Sequence, residues 1–368
     1  MKKILIVDIG PTCGGVEKIV DSIYERLNKE EYNIDFLVYG EKCYNEDKYK
    51  NFGTVYKVSR RYSNPFKHYK EIKSFFINHR NYDIVWIQTR SSSNINAHRF
   101  SRRYTRAKII THSHAIKPET QNRFHRVITS LFMKFNQRTL LSCTDYAIAC
   151  SKASYQYMFG KQYKGKGKTI VNGIELEEFK YSKDFREKIR EKYSIPRDTF
   201  ILGHVGRIVP VKNHRFIVEI FKYVHKEKKN SLLMFVGDGP DSNEIRNYVK
   251  QLKLEEYTLF VGEKDNVSEY LSAMDVFVLP SLFEGLSLSA IEAQASGLPT
   301  FISDGVPEDA MATSNAYRIS LKEPPSQWSK KMMESTGEQK RENAYIELIG
   351  TKFDIDYTVN EIKQIFEM

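Results

Sequence analysis

The chain has little cysteine and no long apolar run. Its 368 residues include four cysteines, at positions 13, 43, 143 and 150, with no C-x-x-C pair among them. This spacing argues against a zinc site and against a disulfide framework, and it fits a reducing cytosol. No stretch approaches the roughly 20 consecutive apolar residues that a transmembrane helix needs. We therefore expect a cytoplasmic protein that is soluble or lies peripherally on a membrane.

Four common sequence signatures are also missing. The N-terminal apolar run extends only from Ile4 to Val7 and ends at Asp8, which predicts a first β-strand rather than a signal peptide. The glycine-rich turn after it, "GPTCGG", has neither the Gly-Lys-Ser/Thr of a P-loop nor the G-x-G-x-x-G of a dinucleotide-binding turn. No Asp-x-Asp pair follows a predicted strand. We expect no metal ion and no resident cofactor.

Acidic residues are scarce in the first half of the chain. Residues 1–180 carry 32 Lys and Arg against 17 Asp and Glu, whereas the remainder carries 25 against 29. A basic half suggests a polyanionic partner, namely nucleic acid, an anionic membrane or a phosphorylated substrate, and an evenly solvated basic surface is the plainer alternative. Because neither a nucleic-acid-binding motif nor an array of stacking aromatics accompanies the basic residues, we expect no nucleic acid partner.

Near-continuous apolar runs alternate with helical patterns along the chain. The predicted strands are "KKILIVDI", "IDFLVY", "TVYKV", "DIVWIQ", "AKIITH", "DYAIAC" and "KTIVN", followed by "TFILGHVG", "SLLMFVG", "YTLFVG", "DVFVLP" and "LPTFIS". Such a pattern indicates parallel sheets covered by helices on both faces, and two successive series indicate two doubly wound, Rossmann-like α/β domains. We place the first domain at residues 1–178, completed by a C-terminal helix at 352–368, and the second at 179–351. We expect the two domains to face each other across a cleft.

Two cations follow the first strand of the second series. The segment "GRIVPVKN" places Arg207 and Lys212 five positions apart in a loop beyond that strand. Two fixed cations at a strand end suit a diphosphate, and they can neutralise a leaving group without a metal ion. Ordinary surface charge is the alternative interpretation of the same spacing.

The segment "SLFEGLSLSAIEAQASGLPT" predicts a loop followed by a helix that begins near Leu286 or Ser287. The free amides of a first helical turn bind phosphate, and Glu284 comes just before that turn. Glu292 lies on the helix body, where a carboxylate facing a cleft accepts hydrogen bonds from sugar hydroxyls. Alternatively, Glu284 forms a capping box with Ser281, and Glu292 is a solvated helix residue.

Seven short segments carry a resemblance to a known family. They are "GGVEK", "HSHA", "NGIE", "GRIVPVKN", "VGDGP", the pair Glu284-x7-Glu292 with "EAQASGLPT", and "SDGVPED". In this order and spacing they cover most of the chain. Together they resemble the retaining family 4 glycosyltransferases of the GT-B fold, above all the bacterial EpsF-like enzymes of capsule and exopolysaccharide synthesis.

The resemblance implies a role for each matching residue of the second domain. In the family, the first glutamate of the pair contacts the donor sugar near the reacting centre and the second binds the nucleotide ribose. These residues correspond to Glu284, as a catalytic residue, and Glu292. Arg207 and Lys212 would bind the donor diphosphate. The remaining implied donor contacts are the helix amides of Leu286, Ser287 and Leu288 and the glycine turn at Gly14 and Gly15 in the first domain. Val267 is the implied contact to the base.

Two histidines follow a predicted strand of the first series. The family's catalytic histidine matches His112 best, and the neighbouring His114 is the alternative, as a contact to the acceptor or to the donor sugar. A lone histidine is more often structural, and without a third ligand the pair forms no metal site.

The implied reaction transfers a sugar from a nucleotide-sugar donor, with a UDP-sugar favoured, to a hydroxyl of an oligosaccharide acceptor. Configuration would be retained, and no metal would take part. We expect a lipid-diphosphate-linked acceptor and a product that enters capsule or exopolysaccharide. A GT-B epimerase or phosphorylase is the first alternative, and a nucleic-acid-binding basic protein is the second.

A candidate membrane-binding helix lies in the first domain. In "NRFHRVITSLFMKFNQRTLL", residues 122–141, apolar residues recur at roughly helical spacing beside basic ones. With the arginines at positions 99, 102, 103 and 106, they would form a cationic amphipathic face for an anionic membrane surface. The alternative is a core-facing helix with a solvated rim. We expect a peripheral location at the inner face of the cell membrane.

Overall fold

The chain divides into two compact units. Unit 1 comprises Met1–Gly173 with Ile355–Met368, and unit 2 comprises Ile174–Asp354. The computed structural model describes residues 1–10, 15–27, 30–115, 123–160, 163, 165–335 and 341–368, without the side chains of residues 15, 16, 18 and 123–129. The unit boundaries therefore lie after residues 173 and 354, where the sequence predicts boundaries after residues 178 and 351.

Unit 1 is built on a parallel sheet. Its strands are β1 (Lys2–Val7), β2 (Tyr32–Tyr39), β3 (Val55–Val58), β4 (Ile84–Thr89), β5 (Lys108–Ser113), β6 (Tyr146–Ala149) and β7 (Gly167–Thr169). Its helices are α1 (Gly15–Arg26), α2 (Glu46–Lys50), α3 (Pro65–Asn78), α4 (Asn96–Tyr104), α5 (Arg123–Cys143) and α6 (Lys152–Phe159). The strand order is β3-β2-β1-β4-β5-β6-β7, so the chain reverses direction across the sheet between β1 and β4.

Unit 2 repeats the plan. Its strands are β8 (Phe200–Val205), β9 (Ser231–Val236), β10 (Thr258–Gly262), β11 (Val276–Leu279), β12 (Thr300–Ser303) and β13 (Ala316–Ile319). Its α-helices are α7 (Leu176–Phe179), α8 (Lys183–Lys192), α9 (His214–Glu227), α10 (Ser242–Gln251), α11 (Val267–Ala273), α12 (Leu288–Ala295) and α13 (Pro325–Glu334). Short 3-10 helices occur at Pro210–Lys212, Glu255–Tyr257, Glu308–Ala310 and Arg341–Leu348. The strand order is β10-β9-β8-β11-β12-β13, and the direction reverses between β8 and β11.

Local sequence explains where several of these helices start. The side chains of Asn64, Ser151 and Ser182 each accept a hydrogen bond from a backbone amide three residues further on, which caps α3, α6 and α8. Pro65 then occupies the first turn of α3, where a proline removes no helical hydrogen bond. The central strands β4 and β8 are buried along their whole length, as expected for parallel strands covered on both faces.

The last helix, α14 (Ile355–Glu367), belongs to unit 1. Its apolar face joins α1 in covering one face of the unit 1 sheet. The Phe366 ring meets the Trp86 ring edge-on at 5.6 Å between centroids. The Thr358 hydroxyl accepts a hydrogen bond from the Gly173 amide at 3.0 Å and donates one to the Val171 carbonyl, also at 3.0 Å. The first unit is therefore completed by the end of the chain.

The prediction of two doubly wound parallel α/β units is confirmed, and one strand was not predicted. Strand β13 is four residues long, is buried only at Ala316 and Ile319, its two ends, and pairs with β12 at the edge of its sheet. An edge strand of this length lacks the continuous apolar run that identifies the central strands. No helix of the described residues is long and apolar enough to cross a bilayer.

Removing part of the α14 contact should destabilise unit 1 specifically. Ile362 is fully buried in the unit 1 core, and Ile362→Ala should cost about 2–5 kcal/mol of unfolding free energy. The chain has two tryptophans, Trp86 in unit 1 and Trp328 in unit 2. In a Trp328→Phe background, urea unfolding followed by tryptophan fluorescence therefore reports unit 1. Asn360→Ala, at an exposed position of the same helix, is the matched control, and an equal loss in both variants would contradict this packing.

Candidate functional site

The predicted donor residues of unit 2 lie where the sheet changes direction. Strands β8 and β11 are adjacent and parallel, so the loops that follow them emerge side by side. The Leu282 amide donates to the Val211 carbonyl at 2.8 Å, and the Asn213 side chain donates to the Pro280 carbonyl at 3.3 Å. In open α/β sheets, ligands bind at this edge, beyond the carboxyl ends of the two strands.

An ion pair joins the two loops. The Lys212 Nζ lies 2.8 Å from Oε1 of Glu284, in a contact that is not aligned as a hydrogen bond. The two side chains are 16 % and 14 % exposed, and Oε1 of Glu284 is buried, so the pair is mostly shielded from water. The Glu284 amide donates to the Gly305 carbonyl at 3.1 Å, which fixes the backbone beside the carboxylate. The structure thus brings together two residues that the sequence separates by 72 positions.

Arg207 supplies a second cation at the same edge. It follows β8 directly and is exposed. Among the described residues, no carboxylate pairs with its guanidinium, in contrast to Lys212. Because an unpaired cation beside a paired one leaves net positive charge, this edge of unit 2 suits an anionic ligand.

The N-terminus of α12 has no side-chain cap. Ser287 is the N-cap residue, and its hydroxyl lies 3.1 Å from that of Ser289 without bonding a helix amide. The helix starts at Leu288, one or two residues later than predicted. Because Ser281 is not the N-cap residue, the alternative of a capping box between Ser281 and Glu284 is wrong. Residues 286–288 lie at the positive end of the helix dipole, which attracts anions.

Glu292 and Val267 occupy separate positions in unit 2. Glu292 is half-buried on α12, whereas its neighbours Ala293 and Ala295 are fully buried. Val267 is half-buried at the start of α11, after β10, which lies two strands from β8 in the sheet. The Lys212–Glu284 ion pair is a direct contact between two predicted site residues of this unit.

The turn "VGDGP" needs its glycines for packing. Gly237 has a φ of 132°, and a Cβ there would lie 2.2 Å from the Gly206 carbonyl oxygen. A Cβ on Gly239 would lie 2.2 Å from the Ile208 carbonyl oxygen. The turn therefore packs directly against the backbone on both sides of Arg207 and holds the loop after β8 in place.

Two buried histidines near Lys212 are not among the site residues predicted from the sequence. The Nδ1 of His204 donates to the Val278 carbonyl at 2.9 Å, and the His214 ring lies 4.7 Å from the His204 ring between centroids. Burial lowers the pKa of His214 to about 4, and burial with nearby His214 also lowers the pKa of His204. Both rings are therefore neutral at physiological pH, so the positive charge of this loop comes from Lys212 and Arg207. In the sequence, His204 stands out as a polar residue within the otherwise apolar strand β8.

In unit 1, a buried carboxylate anchors the turn after β1. Glu17 is 1 % exposed, and its Oε1 accepts from the Gly10 amide at 2.9 Å and pairs with Arg90 at 3.0 Å. Arg90 follows β4, so this contact joins the two loops at the direction change of the unit 1 sheet. Gly15 opens α1, and Gly14 lies outside the described residues.

The two predicted histidines differ in accessibility. His112 is 1 % exposed, its ring is stacked on Trp86, and neither ring nitrogen has a hydrogen-bond partner among the described residues. Burial lowers its pKa to about 3. His114 lies one residue beyond β5, is half-buried, and donates from Nε2 to the Gln88 side-chain oxygen at 2.7 Å. Burial, with nearby His112, also holds the pKa of His114 well below its ordinary value. Both rings are neutral, and His114 is the more accessible of the two.

Two family models match the chain in order. The model for Glycosyltransferase Family 4 matches residues 13–178, and the model for Glycosyl transferases group 1 matches residues 185–347. The first match covers most of unit 1, and the second lies within unit 2. Lys212, Glu284, Arg207 and Glu292 all fall within the second match.

Individual relatives extend over most of the chain. EpsF of Bacillus subtilis (strain 168), a glycosyltransferase by name, is 28 % identical over the whole chain and 97 % of its own length. The Escherichia coli UDP-Gal:alpha-D-GlcNAc-diphosphoundecaprenol alpha-1,3-galactosyltransferase is 29 % identical over 82 % of this chain and 79 % of its own length. The crystal structure of HepE from Anabaena with UDP and glucose has a TM-score of 0.77 and 16 % identity over the full length of both chains, which shows a shared fold.

Proposed function

Since the chain belongs to the family 4 glycosyltransferases of the GT-B fold, we propose that it transfers a sugar from a UDP-sugar to a lipid-diphosphate-linked oligosaccharide, with retention of configuration and without a metal ion. The product would enter capsule or exopolysaccharide. Two similar proteins support the choice of donor and acceptor: one is named for a UDP-sugar donor and a diphosphoundecaprenol acceptor, and one is bound to UDP.

The donor assignment rests on the residues that cluster beyond the carboxyl ends of β8 and β11 in unit 2. Lys212 and the unpaired Arg207 would bind the donor diphosphate, and the uncapped amides of α12 would bind phosphate oxygens. Glu292, on the same helix, would accept hydrogen bonds from the ribose hydroxyls. The Lys212 ammonium would hold the diphosphate next to Glu284, the residue that would contact the donor sugar.

The proposed reaction needs only these groups and the two substrates. The bond between the anomeric carbon and the diphosphate breaks, and the acceptor oxygen forms the new glycosidic bond on the same face. The acceptor hydroxyl proton passes to the departing phosphate oxygen. Arg207 and Lys212 would stabilise the negative charge on the leaving diphosphate, and Glu284 would stabilise the positive charge that develops on the sugar. The catalytic role of His112, with His114 as the alternative, stays a prediction.

The basic helix α5 of unit 1 would bind the membrane that holds the acceptor. Leu131, Phe132 and Phe135 are exposed on this helix, beside exposed Lys134 and Arg138. These three apolar side chains are therefore on the solvent-exposed side of the helix, whereas Met133 and Leu140 are buried on the other side. The other part of the predicted face, residues 123–129, lies outside the described side chains. Exposed aromatics among basic residues suit an anionic lipid surface.

Removing Arg207 should weaken donor use. We expect Arg207→Ala to bind UDP at least about 10-fold more weakly and to lower sugar transfer by about 100-fold, because one cation on the leaving diphosphate is lost. Isothermal titration with UDP in the presence of EDTA measures binding, and UDP release from a panel of UDP-sugars measures turnover. Arg197→Ala, an exposed arginine before the opposite end of β8, is the matched control. Normal turnover in Arg207→Ala, or UDP binding that EDTA abolishes, would contradict the proposal.

Neutralising Glu284 should separate donor binding from turnover. Glu284→Gln removes the carboxylate that holds Lys212, so the ammonium is free for the diphosphate. We expect UDP affinity to stay equal or rise, while turnover falls by about 100-fold because charge stabilisation at the sugar is lost. Glu323→Gln, an exposed carboxylate after β13, should leave both quantities unchanged. A loss of UDP affinity in Glu284→Gln with unchanged turnover would refute the assigned role.

Membrane binding should depend on the exposed apolar side chains of α5. We expect the chain to float with vesicles that contain phosphatidylglycerol and not with pure phosphatidylcholine vesicles. Leu131→Ser with Phe135→Ser should reduce that flotation several-fold, because the apolar anchor is removed while the basic residues stay. Tyr357→Ser, an exposed aromatic on α14, is the control. Equal flotation with neutral and anionic vesicles would argue against this face.

A further inference from the structure

A second candidate site lies wholly within unit 1. A cavity of about 740 Å³ opens at the carboxyl ends of β1 and β4, where the direction of the unit 1 sheet changes. Asp8, Ile9 and Gly10 line it after β1, and residues 87–91 line it at the end of β4. The volume lies in the range of small-molecule sites, and the position is the one at which open α/β sheets bind ligands.

The cavity wall is cationic. Arg60, Arg61 and Arg90 line it, and Asp8 is the acidic residue among the lining side chains. Arg90 is balanced by the buried carboxylate of Glu17. Among the described residues, no carboxylate forms an ion pair with Arg60 or Arg61, so two guanidinium charges in this cavity are uncompensated by ion pairs.

Both unpaired arginines are held by backbone carbonyls. The Nε of Arg60 donates to the Tyr39 carbonyl at 3.3 Å, and Arg61 donates to the Ser93 carbonyl. Arg61 also lies over the Phe132 ring, with its guanidinium carbon 5.8 Å from the ring centroid. Burial lowers the pKa of Arg61, which reflects a cation partly removed from water without a counter-charge. Such a group gains most from an anionic ligand, because its interaction is less screened by solvent.

The same cavity has exposed aromatic side chains at its wall. Tyr62 and Phe132 both line it, and they are 86 % and 48 % exposed. Phe66, next in sequence to the lining residue Pro65, is 82 % exposed. Large aromatic side chains in contact with water beside a ligand-sized cavity indicate a ligand with an apolar part. The cationic wall requires that the ligand also carry negative charge.

We propose that this cavity binds the phosphate of a phosphorylated lipid acceptor, with Arg60 and Arg61 binding the phosphate oxygens and Tyr62 and Phe132 contacting the first part of the lipid chain. Two adjacent guanidinium forks fit the several oxygens of a phosphate or diphosphate better than a single carboxylate, which one fork satisfies. The inference rests on the proposed function, because it takes the acceptor to be a lipid phosphate, and it assigns residues to a site distinct from the donor site of unit 2.

The test uses the full chain saturated with UDP, so that a diphosphate probe does not occupy the donor site. Isothermal titration compares geranyl diphosphate, geraniol and inorganic pyrophosphate without vesicles. We expect geranyl diphosphate to bind, and geraniol and pyrophosphate each to bind at least about 10-fold more weakly. Geraniol binding as tightly as geranyl diphosphate would overturn the phosphate contact, and pyrophosphate binding as tightly would overturn the lipid contact.

Matched variants test the arginines themselves. Arg60→Gln with Arg61→Gln should weaken geranyl diphosphate binding by about 30-fold or more, whereas Lys73→Gln with Arg80→Gln should not, although both pairs remove two charges from unit 1. Arg61→Lys should recover only part of the affinity, since it keeps the charge and loses the fork. Unchanged probe binding in Arg60→Gln/Arg61→Gln would overturn the inference. Reduced vesicle flotation with intact probe binding would also overturn it, because the arginines would then contact the membrane surface.

UDP affinity separates this inference from the proposed function. All three of these variants should bind UDP as the parent chain does, because Arg207 and Lys212, the proposed diphosphate-binding residues, lie in unit 2. Normal UDP binding and transfer without any geranyl diphosphate binding would overturn the acceptor inference alone. Absence of UDP binding in the parent chain would instead remove the proposed function on which the inference rests.

Discussion

The candidate donor site depends on the parallel pairing of β8 with β11. These strands are separated by 70 residues of chain but are adjacent in the sheet, so their carboxyl ends and the following loops emerge together. The pairing places Lys212 within 2.8 Å of Glu284 and leaves Arg207 exposed at the same edge. Parallel sheets put all such loops at one edge, whereas an antiparallel sheet would send them to opposite edges.

The positive charges at this edge suit an anionic ligand. A diphosphate that replaces the Glu284 carboxylate beside Lys212 would keep the ammonium paired with a negative charge. The two neutral histidines behind Lys212 add no competing positive charge. The glycines of "VGDGP" let that turn pack against the backbone of Gly206 and Ile208, on both sides of Arg207.

The two units share the same sheet geometry but place different side chains at the direction change. In unit 1, the equivalent direction change lies between β1 and β4, and it carries a cavity with two unpaired arginines and exposed aromatic side chains. In unit 2, the corresponding edge carries a lysine, an arginine and the uncapped start of a helix. A cationic edge rimmed by aromatics suits an amphiphilic anion, whereas a cationic edge at a helix N-terminus suits a compact diphosphate. This difference is consistent with one unit for the acceptor and one for the donor.

The sequence by itself determined the fold class and most of the strands, because parallel strands buried on both faces need continuous apolar runs. It also marked Arg207, Lys212 and Glu284 through their positions after strands, and Glu292 through its position on the following helix. It did not reveal β13, a four-residue edge strand with only two buried residues, or His204, which is polar within an apolar run. Only the tertiary structure showed that Lys212 pairs with Glu284 and that Arg60 and Arg61 are left without carboxylate partners among the described residues. Such pairings depend on which strands become neighbours, and spacing along the chain does not encode that directly.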